Sequence, residues 1–106
     1  MLHRRIEELL DAPASGDAAP SLARLEATLT DGYARALALE AERSRIERLI
    51  GEAAGRVDEP SATGVTDEIV SLARMLTHAE RELGSLRAML RRLNARRRAL
   101  RHATTV

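Results

Sequence analysis

Few side chains in this 106-residue sequence have the types and spacing for chemistry. Its three histidines, His3, His78 and His102, are far apart, and no two have the spacing of a ligand pair. His78 and Glu82 are one helical turn apart and could offer two donors to a metal. A zinc site needs three or four, so an exposed polar pair is the stronger reading. Ser, His and Asp are all present, but without a G-x-S-x-G elbow in a strand-turn-helix context no serine is set up as a nucleophile. Gly51 and Gly55 fall within helical sequence and form no phosphate loop. The acid pairs Asp58-Glu59 and Asp67-Glu68 read as loop and helix-start residues. There is no cysteine, which removes disulfides, thiolate metal sites and cysteine nucleophiles. The sequence therefore predicts a non-enzyme without cofactor, metal or small-molecule substrate.

One charged feature stands out. All sixteen acidic residues precede Leu83, while Arg87, Arg91, Arg92, Arg96, Arg97, Arg98 and Arg101 follow it with no acid among them. The formal charge is −6 over residues 1–85, from ten Arg against sixteen acids, and +7 beyond. Arg87, Arg91, Arg98 and Arg101, with Asn94 between them, recur in threes and fours and form a stripe on one helix face. Such a stripe suits phosphates or an acidic protein. The plainer reading is a solvated helix end whose arginines answer the helix dipole and the nearby Glu26 and Glu40.

The elements that carry these residues follow from the apolar pattern. Ile69, Leu72, Leu76, Ala79, Leu83, Leu86, Leu90, Leu93, Arg97 and Leu100 alternate in steps of three and four, an unbroken heptad seam. A second seam runs through Leu22, Leu25, Leu29, Gly32, Ala36, Leu39, Arg43, Ile46, Ile50, Ala53 and Val57. Hydrophobic residues make up 44% of the chain, but one Tyr is the only aromatic, so the apolar content suits helix seams better than sheets. All seventeen basic residues are Arg, which carries little functional weight if it reflects coding bias.

The expected fold is all-α. A short amphipathic helix over 1–11 places Leu2, Ile6, Leu9 and Leu10 on one face. A Pro-bracketed flexible linker follows over 12–20. The first long helix spans 21–57 with Ser21 as its N-cap, a loop covers 58–64 around Pro60, and the second long helix spans 65–103, capped by Thr63 or Thr66. Asp67 and Glu68 suit its start, and Arg97, Arg98 and Arg101 its end. The loop is too short for a parallel return, so the long helices form an antiparallel, coiled-coil-like hairpin. With the turn near Pro60, facing seam residues have numbers that sum to 122. Leu29 then meets Leu93, Gly32 meets Leu90, Ile46 meets Leu76 and Ile50 meets Leu72. Arg56 can approach Glu68, Glu26 can approach Arg101 and Glu40 can approach Arg87. Arg43 and Arg97 interrupt the seam beside Glu80 and Glu26 and fix its register.

One buried stripe per helix barely offsets the entropy of ordering it, so something is expected to cover the hairpin. Leu49, Met75 and Met89 on one flank, with Leu37 and Val70 further out, offer the apolar surface. The N-terminal helix docking there would close a three-helix bundle, and a second copy would make a dimeric four-helix bundle.

These features point to a non-enzymatic helical interaction or adaptor protein that self-associates or binds a helical or acidic partner. Its contact residues would be Leu37, Leu49, Met75 and Met89 for the partner, with Arg87, Arg91, Arg98 and Arg101 for anions. The alternative is a sequence-independent nucleic-acid-binding module. It is weaker because the Leu seam continues through the basic region, leaving no helix free to fork into a groove, and because aromatics for base stacking are lacking. In outline the chain also resembles small helical export chaperones and the hairpin secretion substrates of similar length. The W-x-G turn of the latter is absent, and the likeness is architectural. Glu7, Glu8 and Asp11 interrupt any signal-like apolar run, and no segment reaches transmembrane length, so the default address is cytoplasmic.

Overall fold

A computed structural model describes residues 1–17, 19–60 and 62–105, with the side chains of 104 and 105 excepted. Among the described residues the chain is all-helical, with α1 over Leu2–Asp11, α2 over Leu22–Ala54 and α3 over Val65–Thr105. They group into two compact units. The first comprises Met1–Ala36 and Ser85–Val106, and the second Leu37–Gly84.

Ser21 caps α2, its hydroxyl oxygen accepting the Arg24 N–H at 3.2 Å. α2 closes at Ala54, short of the expected Val57. The N–H groups of Arg56 and Val57 turn back to the carbonyls of Ala53 and Ala54, so the last turn tightens into i−3 bonds beside Gly55. Val57, read as a seam residue, is consequently half exposed. Gly64, at φ +86°, turns the chain into α3, and this left-handed geometry is why a glycine stands there. Because α3 starts at Val65, Thr66 lies inside the helix and cannot be its cap. Asp67 and Glu68 do occupy the first turn. At the other end the helix continues to Thr105, which puts His102, rather than Arg97 or Arg98, in the last turn.

In the first unit, Leu25, Leu86 and Leu93 are fully buried and Leu29 and Leu90 nearly so. A Cβ placed on Gly32 would collide with Leu90 Cδ2. The glycine thus accommodates the leucine directly opposite, as a register summing to 122 requires. Glu26 reaches Arg101 at 3.4 Å, so α2 and α3 run antiparallel here. α1 completes a three-helix core by burying Ile6 and Leu9.

In the second unit, Ile46, Leu72 and Ala79 form a cluster flanked by Leu49, Ile50 and Leu76, which matches the facing pairs 46/76 and 50/72. Leu39 and Leu83, also a pair summing to 122, are both buried. Near the turn, Arg56 and Glu68 form an ion pair at 3.2 Å.

Candidate functional site

The sequence singles out two sets of residues, and the apolar set divides between the two units. Leu37, Leu49 and Met75 belong to the second unit, while Met89 belongs to the first. Leu37 is 67% exposed and Met75 46%, whereas Leu49 is half-buried against the Ile46 cluster and Met89 is half-buried as well. Val70 is 44% exposed. α1 belongs to the first unit.

How α1 is held explains its choice. Arg5 donates to Asp31 at 2.9 Å and to the buried Thr28 hydroxyl at 3.3 Å, and Arg24 approaches Glu8 at 3.8 Å. From α3, the Arg96 guanidinium donates to the carbonyls of Leu9, Leu10 and Ala12. These are the groups a helix C-terminus leaves without intrahelical partners, and a cation there also meets the negative end of the dipole. The ring of contacts places a polar clamp around the apolar pair Ile6 and Leu9. In the segment after α1, read from sequence as a flexible linker, the Ala19 N–H donates to the Gly16 carbonyl at 3.1 Å. Ala19 and Pro20 line a small cavity of about 100 Å³ with Leu25, Arg96 and Leu100.

Arg87, Arg91, Arg98 and Arg101 are exposed on α3 of the first unit. Arg101 pairs with Glu26, and Arg87 is engaged too. Beside them opens a polar cleft of about 530 Å³ lined by Glu26, Leu29, Thr30, Tyr33, Asn94, Arg97 and Arg101. Two of these lining residues each bury a polar atom, Arg97 Nε and Glu26 Oε1, that has no hydrogen-bond partner among the described residues. Glu26 Oε1 is near Arg101 Nε as a charge pair, but the geometry is too poor for a hydrogen bond between them. The seam's other arginine behaves differently, since Arg43 pairs at 3.8 Å with Glu47 on its own helix instead of with Glu80.

His78 lies 3.7 Å from Glu82 and is largely exposed, and among the described residues no three His, Cys, Asp or Glu side chains gather as a metal would require. Nor is any described helix long and apolar enough to cross a membrane.

The two units also differ in charge. The first carries eleven Arg against six acids, a net +5, and the second six Arg against ten acids, a net −4. α1 and the start of α2 bring acids into the basic unit and so soften the sequence asymmetry without removing it. Sequence reasoning missed Arg96 and Tyr33. Nothing in the Arg spacing distinguishes a capping arginine, but an aromatic next to a basic stripe was a usable signal. No protein-family model, curated protein or solved structure matches this chain.

Proposed function

We propose that this chain is a non-enzymatic helical interaction module. Its seams and α1 build a scaffold, and the apolar side chains left open engage a second helical surface, in another copy or in a partner protein. The supporting observation is that Leu37, Val70 and Met75 stand 67%, 44% and 46% exposed in a unit built from parts of α2 and α3. Isolated exposed hydrophobics are ordinary, but three on a two-helix unit suit helix docking. A cytoplasmic address belongs to the same proposal.

A phosphate-binding role would draw on the arginines of α3. It is less well supported, since Arg96 caps α1, Arg101 pairs with Glu26, and Leu86, Leu90 and Leu93 tie the helix into the core.

Replacing Leu37, Val70 and Met75 together by Gln tests the proposal. Sedimentation equilibrium over a concentration series should show the average mass of the wild type rising with concentration and that of the triple variant staying monomeric, with helicity unchanged. A wild type that remains monomeric at millimolar concentration contradicts self-association. A triple variant that associates as strongly as the wild type contradicts the assignment of these side chains.

A further inference from the structure

We propose that the face of the second unit carrying Leu37 and Val70 is a contact surface for a second copy of this chain, in which these two side chains of each copy sit over open glycines of the other. This rests on the interaction-module reading and names its partner. The surface lies wholly within Leu37–Gly84. In heptad terms the a positions of the seam are Ala36, Arg43 and Ile50 on α2 and Ile69, Leu76 and Leu83 on α3. The residues that follow them, at b, are Leu37, Ser44 and Gly51 on α2 and Val70, Thr77 and Gly84 on α3, all exposed. The Arg56–Glu68 ion pair closes the g side of the hairpin, where Met75 also lies. The e and b positions of both helices therefore share the opposite face.

Each helix repeats one order along that face: a large apolar residue, a small hydroxyl residue and a glycine, seven residues apart. Nothing among the described residues requires either glycine. Gly32 makes room for Leu90, but a Cβ added at Gly51 or Gly84 would meet open space, and glycine inside a helix is destabilising relative to alanine. An exposed apolar side chain and an unfilled glycine suit each other. On each helix, however, they stand about 21 Å apart at the standard rise, so only another molecule can bring them together.

A two-fold contact uses one patch twice, and this order is complementary to itself on reversal. With one copy turned end over end about an axis at Ser44 and Thr77, α2 lies on the α2 of the second copy and α3 on its α3. Facing numbers sum to 88 on α2 and 154 on α3, so Leu37 meets Gly51 of the second copy and Val70 meets its Gly84. One axis serves both helices because 44 and 77 sum to 121, one short of the register of the seam itself. A shallow groove of about 460 Å³ along Val70, Ala73 and Thr77 receives the second α3. Thr77 brings no unmet hydroxyl into it, since that group donates to the Ala73 carbonyl at 3.0 Å. Charge agrees with the arrangement. Glu80 and Arg74 also sum to 154, so each Glu80 approaches Arg74 of the other copy, whereas six residues apart on one helix they do not face each other. Glu47 comes near Glu40 of the second copy, but Arg43 already pairs with Glu47 at 3.8 Å. The contact is short, so the dimer is weak and forms as concentration rises.

Sedimentation equilibrium up to millimolar concentration tests this with Gly51→Gln/Gly84→Gln, which fills both open sites with a good helix former. The wild type should dimerise. The variant should be at least as helical by circular dichroism, yet dimerise about tenfold or more weakly, as overfilling a close-packed contact does. Arg74→Glu and Glu80→Arg should each weaken the dimer, and an equimolar mixture of the two should restore it, since both facing pairs then join opposite charges. A glycine variant that dimerises as the wild type does overturns the pairing and leaves the interaction-module reading standing. So does a mixture of the charge variants that associates no more tightly than either alone. A wild type monomeric throughout overturns both the pairing and the self-association on which it rests.

Discussion

Leu93→Ala should destabilise the chain by about 2–5 kcal/mol, the range for truncating a fully buried leucine. Leu93 has no exposed surface and belongs to the first unit, where Leu25, Leu86, Ile6 and Leu9 are buried to the same degree. Truncation removes the transfer energy of the lost carbons and leaves a cavity. The surrounding helices cannot readily collapse into it, since Gly32 and Leu90 already fit without spare room. For a domain of this size the thermal midpoint should fall by about 10 °C or more. Met75→Ala, at an exposed site, should stay within about 0.5 kcal/mol. Chemical denaturation of the two variants measures both values, and equal losses would contradict the assignment of Leu93 to the core.

The second large effect is expected at Arg96. Arg96→Met keeps much of the aliphatic packing but removes the donors to Leu9, Leu10 and Ala12. A hydrogen bond to a charged group contributes about 1.5–3 kcal/mol net, and a ten-residue helix has little stability of its own. α1 should therefore detach as one element, its amides exchanging rapidly and the 12–20 segment becoming open to protease, while α2 and α3 keep their protection. Arg96→Lys should rescue only in part, because an ammonium keeps the charge near the helix end but cannot span three carbonyls as the planar fork does. Unchanged exchange across α1 in Arg96→Met would show that Ile6 and Leu9 hold it without the clamp.

Much of the fold was legible because heptad spacing is a strong constraint. Once the turn was placed near Pro60, pairing Gly32 with Leu90 followed from arithmetic, and the structure shows the glycine directly under that leucine. Arg56 with Glu68 and Glu26 with Arg101 followed in the same way. Periodicity fails where a helix stops. It carried the first seam on to Val57, although the backbone had already turned at Gly55. It also assigned Arg43 to an acid across the hairpin, when Glu47 one turn along the same helix was nearer to hand. The docking of α1 was legible as a need and not as a place. Leu49, Met75 and Met89 mark the flank offered for docking, and α1 is held at Thr28 and Arg96. That choice turns on Arg96, one arginine out of seven chemically equivalent ones, which has no periodic signature.

Every surface assigned above depends on the hairpin closing within one chain in the register that sums to 122, and the lack of natural cysteine allows a clean test of it. The measurement is the mass, under non-reducing conditions, of dilute Leu29→Cys/Leu93→Cys and Ile50→Cys/Leu72→Cys after mild oxidation. The first pair reports on the first unit and the second on the second, where Ile50 already packs beside Leu72. Disulfides form only when the Cα atoms come within about 7 Å, so facing seam positions are required. The expected result is an intrachain bond in both variants at monomer mass. Disulfides that form only between chains in both variants would contradict the hairpin and every surface built on it.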